Sequence, residues 1–247
     1  MKFLEDIIDN AKEDKFYPIV FYGASTTSAE YSMPNWGEII RYWLKEKVSD
    51  AVGNYKKAYW NIQTSNRGIN GGCSQDLLER LDILVLSLAP KVIFLSVGKN
   101  DAYYRIDTKI TAANTRKIIQ KSLGSGSKVV FMTTVPTLWD KLNEKIKDYV
   151  EVDRMVAQEF SDNENFIFID FYNFFTKEDL EKSYTLVSVD GNEIVGIAPG
   201  EIDPIHYNKI GNALVVKIIL KEVYGLDFDA EKFISDLADP AKKYPGY

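Results

Sequence analysis

The 247-residue sequence predicts an α/β fold, a three-layer α/β/α sandwich around a five-stranded parallel sheet. Apolar runs of strand length alternate with longer segments whose apolar residues recur every three or four positions, the pattern of consecutive βαβ units. A parallel sheet needs helices over both faces, so its strands read as near-continuous hydrophobic runs and its architecture is layered. Residues 1–247 read as one domain, because no repeat, low-complexity tract or Pro/Gly/Ser-rich linker divides them.

The elements follow in order. Glu5, Asp6, Asp9, Glu13 and Asp14 interrupt the opening segment, which therefore reads as a short amphipathic helix and not as a signal peptide. Strands are expected at residues 18–22, 58–62, 92–97, 128–133 and 166–170, each rich in Val, Ile, Phe or Tyr. Helices are expected at 36–48, 74–88, 110–123, 141–160 and 209–224 from their apolar spacing. Residues 184–197 break the alternation: Asp190-Gly191-Asn192 lies between two apolar stretches and predicts a β-hairpin insertion. The tail from 239 to 247 reads as a peripheral extension.

Composition narrows the function. Hydrophobic residues make up 45% and charged residues 27%, as in an ordinary globular protein. The net charge of −6, with no concentrated basic run, argues against nucleic acid as a partner. No apolar run approaches the ~18 residues that span a bilayer, so membrane insertion is not expected and the cytoplasm is the expected location. The single cysteine, Cys73, allows no internal disulfide, and no Cys/His cluster has zinc-site spacing. Cys73 reads as a small buried hydrophobe.

Ligands of doubly wound sheets bind at the carboxyl ends of the strands, which directs attention to the loops there. Gly23-Ala24-Ser25-Thr26-Thr27 follows the first strand, where a serine is exposed beside free backbone N–H groups or serves as a helix cap. Asn66-Arg67-Gly68-Ile69-Asn70-Gly71-Gly72 follows the second, and its glycines allow backbone to approach a ligand or simply make a flexible turn. Gly98-Lys99-Asn100-Asp101 follows the third; the Asn100 amide suits an oxyanion donor or an Asx-turn. Near the end stands Asp203-Pro204-Ile205-His206, containing the chain's one histidine, so an imidazole base working near neutral pH must be His206.

Gly-x-Ser, Asn-x-x-Ile-x-Gly, Gly-x-Asn-Asp and Asp-x-x-His, in that order, closely resemble the four sequence blocks of the SGNH hydrolase superfamily, the GDSL-like lipases and esterases. The resemblance runs from Ile19 to about Leu220. It implies a serine esterase with Ser25 as nucleophile, His206 as general base and Asp203 orienting the histidine. It also implies an oxyanion hole made by the Ser25 N–H, Gly71 and the Asn100 amide, with Gly68 and Gly72 as alternatives to Gly71 in the same loop. Ala24 replaces the aspartate of the usual Gly-Asp-Ser, which bears on local support and not on the triad acid. Chemistry of this kind proceeds through an acyl-enzyme and needs no metal or organic cofactor. Neither G-x-G-x-x-G nor a Walker sequence follows the first strand, which disfavours a flavodoxin-like nucleotide binder.

The expected substrate is a small-molecule or glycan ester with a short acyl group, acetyl above all. Trp36, Tyr103, Tyr104, Trp139 and Tyr207 are the candidate substrate-binding residues, with Tyr31 and Arg105 nearby, since rings on site loops can stack on sugars. Equally, these rings may pack against one another. A thioesterase or lysophospholipase-like acyl hydrolase is the alternative enzyme, and an inactive binding module on the same fold is the alternative of another class.

Overall fold

The computed structural model describes residues 2–191 and 196–242. The chain begins with α1 (Lys2–Lys12), β1 (Tyr17–Gly23), α2 (Trp36–Val52), α3 (Tyr55–Asn61), β2 (Ile62–Gly68) and α4 (Ser74–Leu84). It continues through β3 (Val92–Ser96), α5 (Lys99–Tyr104), α6 (Thr108–Gly124), β4 (Lys128–Met132), α7 (Asp140–Gln158) and β5 (Phe166–Ile169). Two short helices, α8 (Phe171–Phe174) and α9 (Lys177–Ser183), precede α10 (Lys209–Tyr224) and α11 (Ala230–Leu237).

The five strands pair in parallel in the order β2-β1-β3-β4-β5, the sheet the sequence predicts. Alternate residues of each strand face opposite layers. Ile19, Phe21, Val92, Phe94, Val130 and Met132 pack with the helices α1, α2, α10 and α11. Val20, Tyr22, Ile93, Leu95, Val129 and Phe131 pack with α4, α6 and α7. The chain leaves β1 toward β2 on one side and later returns to β3 on the other, so the loops after β1 and β3 part company at the strand ends. That divergence opens the crevice in which doubly wound folds hold ligands.

One expectation needs correction. Residues 58–62 form the end of α3 and only the first residue of β2, not a strand. Asn54 caps α3 by accepting from Lys56 N, and the short helix packs on α1 and α2, with Ala58 buried and Tyr59 against the core. The strand that follows reads Ile-Gln-Thr-Ser-Asn-Arg-Gly because it lies at the sheet edge, half exposed, where polar side chains are tolerated. The hairpin expected at 184–197 falls partly outside the described residues. Residues 192–195 lie outside the described residues; the described antiparallel bridge joins Val187 to Ile202. Ser188 N donates to Glu201 O (2.9 Å) and Asp203 N to Leu186 O (2.7 Å), so the pairing runs up to Asp203. Gly196 and Gly200, at φ +75° and +88°, together with Pro199 turn the returning segment.

Candidate active site

Loops after β1, β2 and β3, together with the segment before α10, converge on a cavity of about 220 Å³ whose wall includes Ser25, Gly71, Asn100 and His206. Ser25 sits in a turn closed by Thr27 N and Ser28 N, which donate to Ala24 O at 3.0 and 3.1 Å. Because the backbone makes this turn, alanine in place of the family's aspartate leaves the serine position supported. Asn66 Nδ2 donates to Thr27 O (2.6 Å) and Trp36 Nε1 to Thr26 O (3.0 Å), fixing the loop from two further elements. Gly68 lies beneath it, where a Cβ would come within 2.4 Å of Ser28 N.

The His206 ring is held at both nitrogens. Nδ1 lies 2.6 Å from Asp203 Oδ2, and Nε2 lies 2.8 Å from Ser25 Oγ. Asp203 Oδ1 accepts the backbone N–H groups of Ile205 (2.8 Å) and His206 (3.1 Å), so the tight Asp-x-x-His turn sets the carboxylate against the ring. Burial pushes the Asp203 carboxyl up, but the bonds from the His206 ring and the two N–H groups outweigh it and hold the group below its ordinary value. With an ionised Asp203 accepting from Nδ1–H, Nε2 is the lone-pair nitrogen that faces the serine hydroxyl. All three residues are buried, which strengthens their electrostatic coupling.

The glycine loop separates its three candidates. Gly68 N donates to Asn66 Oδ1 (3.0 Å) and Gly72 N to Ile69 O (2.9 Å). Gly71, at φ +69° on the cavity wall, has an N–H with no acceptor among the described residues, and so does Ser25. Asn100 Nδ2 donates one hydrogen to Gly72 O (2.9 Å), which orients the amide and leaves its second hydrogen without an acceptor among the described residues. Next to it, Asp101 is fully buried and accepts from Ser74 N (2.9 Å), Ser74 Oγ (2.5 Å) and Thr111 Oγ1 (2.8 Å). It ties the β3–α5 loop to the N-terminus of α4, and thereby Asn100 to the glycine loop.

The candidate aromatic residues divide. Tyr103 and Tyr104 line the cavity, and Tyr104 is half exposed. Trp139 stands behind them, its ring 5.9 Å from that of Tyr103. Trp36 and Tyr207 are buried in the core: Trp36 packs edge-on against Phe21, and Tyr207 lies 5.6 Å from the Tyr184 ring. The reason is local. Trp36 opens α2 on its inward face, and Tyr207, which follows His206, packs into the same core cluster. Arg105 lies beyond the cavity wall, at the end of α5.

Other lining residues were not singled out from the sequence. Leu142 and Ile205 supply an apolar end, and Asn70 and Lys99 complete the wall. Lys99 is buried; its ammonium donates to Ile205 O at 3.4 Å and lies 5.4 Å from the Tyr207 ring centroid. Burial draws its pKa down to about 7, against the opposing pull of the Asp203 charge. The Cys73 thiol is buried too, and burial reinforced by Asp101 and Asp76 pushes it up to about 12, far from a thiolate nucleophile.

A sequence profile of the GDSL-like lipase/acylhydrolase family matches residues 21–214. The chain belongs to this family, and its chemistry is that of a serine-dependent carboxylic ester hydrolase. Among solved structures, it is similar to an acetyl xylan esterase, AlAXEase, at 22% identity and a TM-score of 0.60 over 83% of this chain and 99% of that one. It is similar also to a catalytic mutant of Axe2, an acetylxylan esterase from Geobacillus stearothermophilus, at 18% identity and a TM-score of 0.58, covering 85% and 95%. At these identities the likeness shows the SGNH α/β/α fold. No curated protein matches the chain significantly.

Proposed function

We propose that this protein hydrolyses short acyl esters, chiefly acetyl esters of a carbohydrate or similar polar alcohol. Ser25 Oγ attacks the carbonyl carbon while His206 Nε2 takes its proton, and Asp203 stabilises the imidazolium that forms. Negative charge on the carbonyl oxygen meets the N–H groups of Ser25 and Gly71 and the second amide hydrogen of Asn100. The ester C–O bond then breaks, the alcohol leaves with the proton held by His206, and water resolves the acyl-enzyme by the same steps in reverse order of partners.

The observation that carries the acyl preference is the cavity beside Ser25. At about 220 Å³ it is smaller than the ~300–1,000 Å³ of pockets that enclose a drug-sized ligand, and Leu142 and Ile205 form its apolar lining. A long chain would need a channel. Tyr104, half exposed on the wall, suits a sugar ring and its hydroxyls. The names of the similar structures, acetyl xylan esterases, support the same substrate class.

The test is kcat/KM across acetyl, butyryl, octanoyl and palmitoyl p-nitrophenyl esters, alongside acetylated sugars. Activity is expected to be highest on acetyl and to fall at least about tenfold by octanoyl, with acetate released from the sugars, since one or two methylenes that do not fit change selectivity by roughly that much. A steady rise toward the longer chains, with no acetate released from sugars, would replace this reading with a lipase or thioesterase.

A further inference from the structure

Tyr31 lies on the loop between β1 and α2, and its ring is stacked on the imidazole of His206: the centroids are 3.6 Å apart and the planes within 4° of parallel. The contact is not part of the core, because Tyr31 is about one-third exposed and its loop is tied across the cavity mouth by Glu30, which accepts from Asn70. His206 already has Asp203 at Nδ1 and Ser25 at Nε2, so Tyr31 supplies what those in-plane partners do not, a wall against one ring face.

An aromatic face holds a cationic ring more strongly than a neutral one, because the cation is drawn to the negative face of the quadrupole in addition to the ordinary ring contact. His206 is neutral before Ser25 gives up its proton and positively charged afterwards, so the stack strengthens as the transition state is reached. We propose that Tyr31 is a positioning residue for this reaction, holding the His206 ring toward Ser25 and stabilising its imidazolium through the π face. The inference rests on the Ser25–His206–Asp203 reading above. The other charged or titratable groups near the imidazole are Asp203 on its own turn, Lys99 from α5 through Ile205 O, and Glu30 beside Tyr31. None of them covers the ring face. The phenol hydroxyl is not needed for this role; burial, with Asp203 and Glu30 nearby, raises its pKa and keeps it neutral.

The test compares Tyr31→Phe, which keeps the face, with Tyr31→Leu, which keeps apolar cover without one. Because His206 is the chain's only histidine, its imidazole proton resonance reports its titration directly. Tyr31→Phe is expected to keep kcat on p-nitrophenyl acetate within about threefold of the wild type. In Tyr31→Leu, kcat should fall about 3- to 30-fold with KM changed less than about threefold, and the His206 titration midpoint should move down by roughly 0.4 to 1.5 pH units, the range of a cation–π contact. Equal behaviour of the two variants, a loss confined to KM, or an unmoved midpoint in Tyr31→Leu would overturn the role of Tyr31 alone, provided a fluorophosphonate labels Ser25 in the wild type. Failure of that wild-type labelling would overturn the triad reading and the role of Tyr31 with it.

Discussion

Lys99 illustrates how single residues at this site trade stability for arrangement. Its ammonium is buried with, among the described residues, one long hydrogen bond, to Ile205 O, and an aromatic face, so the charged form is poorly satisfied in the fold. With a pKa near 7 in the fold and 10.5 as the ordinary value, the unfolded chain binds more protons between those limits. Native stability therefore rises with pH across that window, and the cost of Lys99 is fullest below about pH 7. Lys99→Met should raise Tm at pH 7, with the gain shrinking as pH approaches 10. It should also lower kcat about tenfold, the equivalent of ~1.4 kcal/mol, because the link from α5 to the His206 turn is lost. Calorimetry at the two pH values checks the first claim; a lower Tm at pH 7 would contradict it. Nothing in the sequence marks this lysine, whose partner is a backbone carbonyl 106 residues away, whereas Ser25, Asn100, Asp203 and His206 were legible because each stands in a short motif after a predicted element.

At the scale of elements, the positions of β1, β3 and β4 were legible from their continuous apolar runs, since a strand covered on both faces has nowhere to put polar side chains. Edge strand β2 was not, because half-exposed positions carry Gln63, Ser65 and Arg67 while neighbouring α3 carries the apolar residues. The same helix layer hides a second feature. Asp153 on α7 is fully buried beneath the β3–α5 loop, and neither carboxyl oxygen has a hydrogen-bond partner among the described residues. Burial first, then the charges of Asp101 and Asp170, raises its pKa well above the ordinary carboxylate value, which favours the neutral acid in the fold. A raised carboxyl pKa gives stability that is whole below the unfolded value of 3.8 and declines as pH rises above it. Asp153→Asn should remove that decline, giving a denaturation free energy that varies less with pH from about 4 upward than in the wild type. Urea melts across this range check it, and an unchanged pH slope would show that Asp153 is not the group responsible.

The whole molecule places its chemistry where the topology parts the loops of β1 and β3. Loops from three strands bring Ser25, Gly71 and Asn100 to one cavity, and the segment before α10 adds Asp203 and His206 from the far end of the sequence. The order of motifs along the chain foretold that convergence. It did not foretell which aromatic rings reach the cavity, because whether a loop residue turns inward, as Trp36 and Tyr207 do, depends on packing that only the folded molecule specifies. The central claim is that Ser25 is the nucleophile, and the most direct measurement is mass spectrometry of the protein after reaction with a fluorophosphonate. One phosphonyl group should be found on the peptide containing Ser25 in the wild type and none on Ser25→Ala, whose kcat should be lower by roughly 10³ to 10⁶. Labelling of Ser25→Ala at the wild-type rate, or a wild-type label on another residue, would contradict the account.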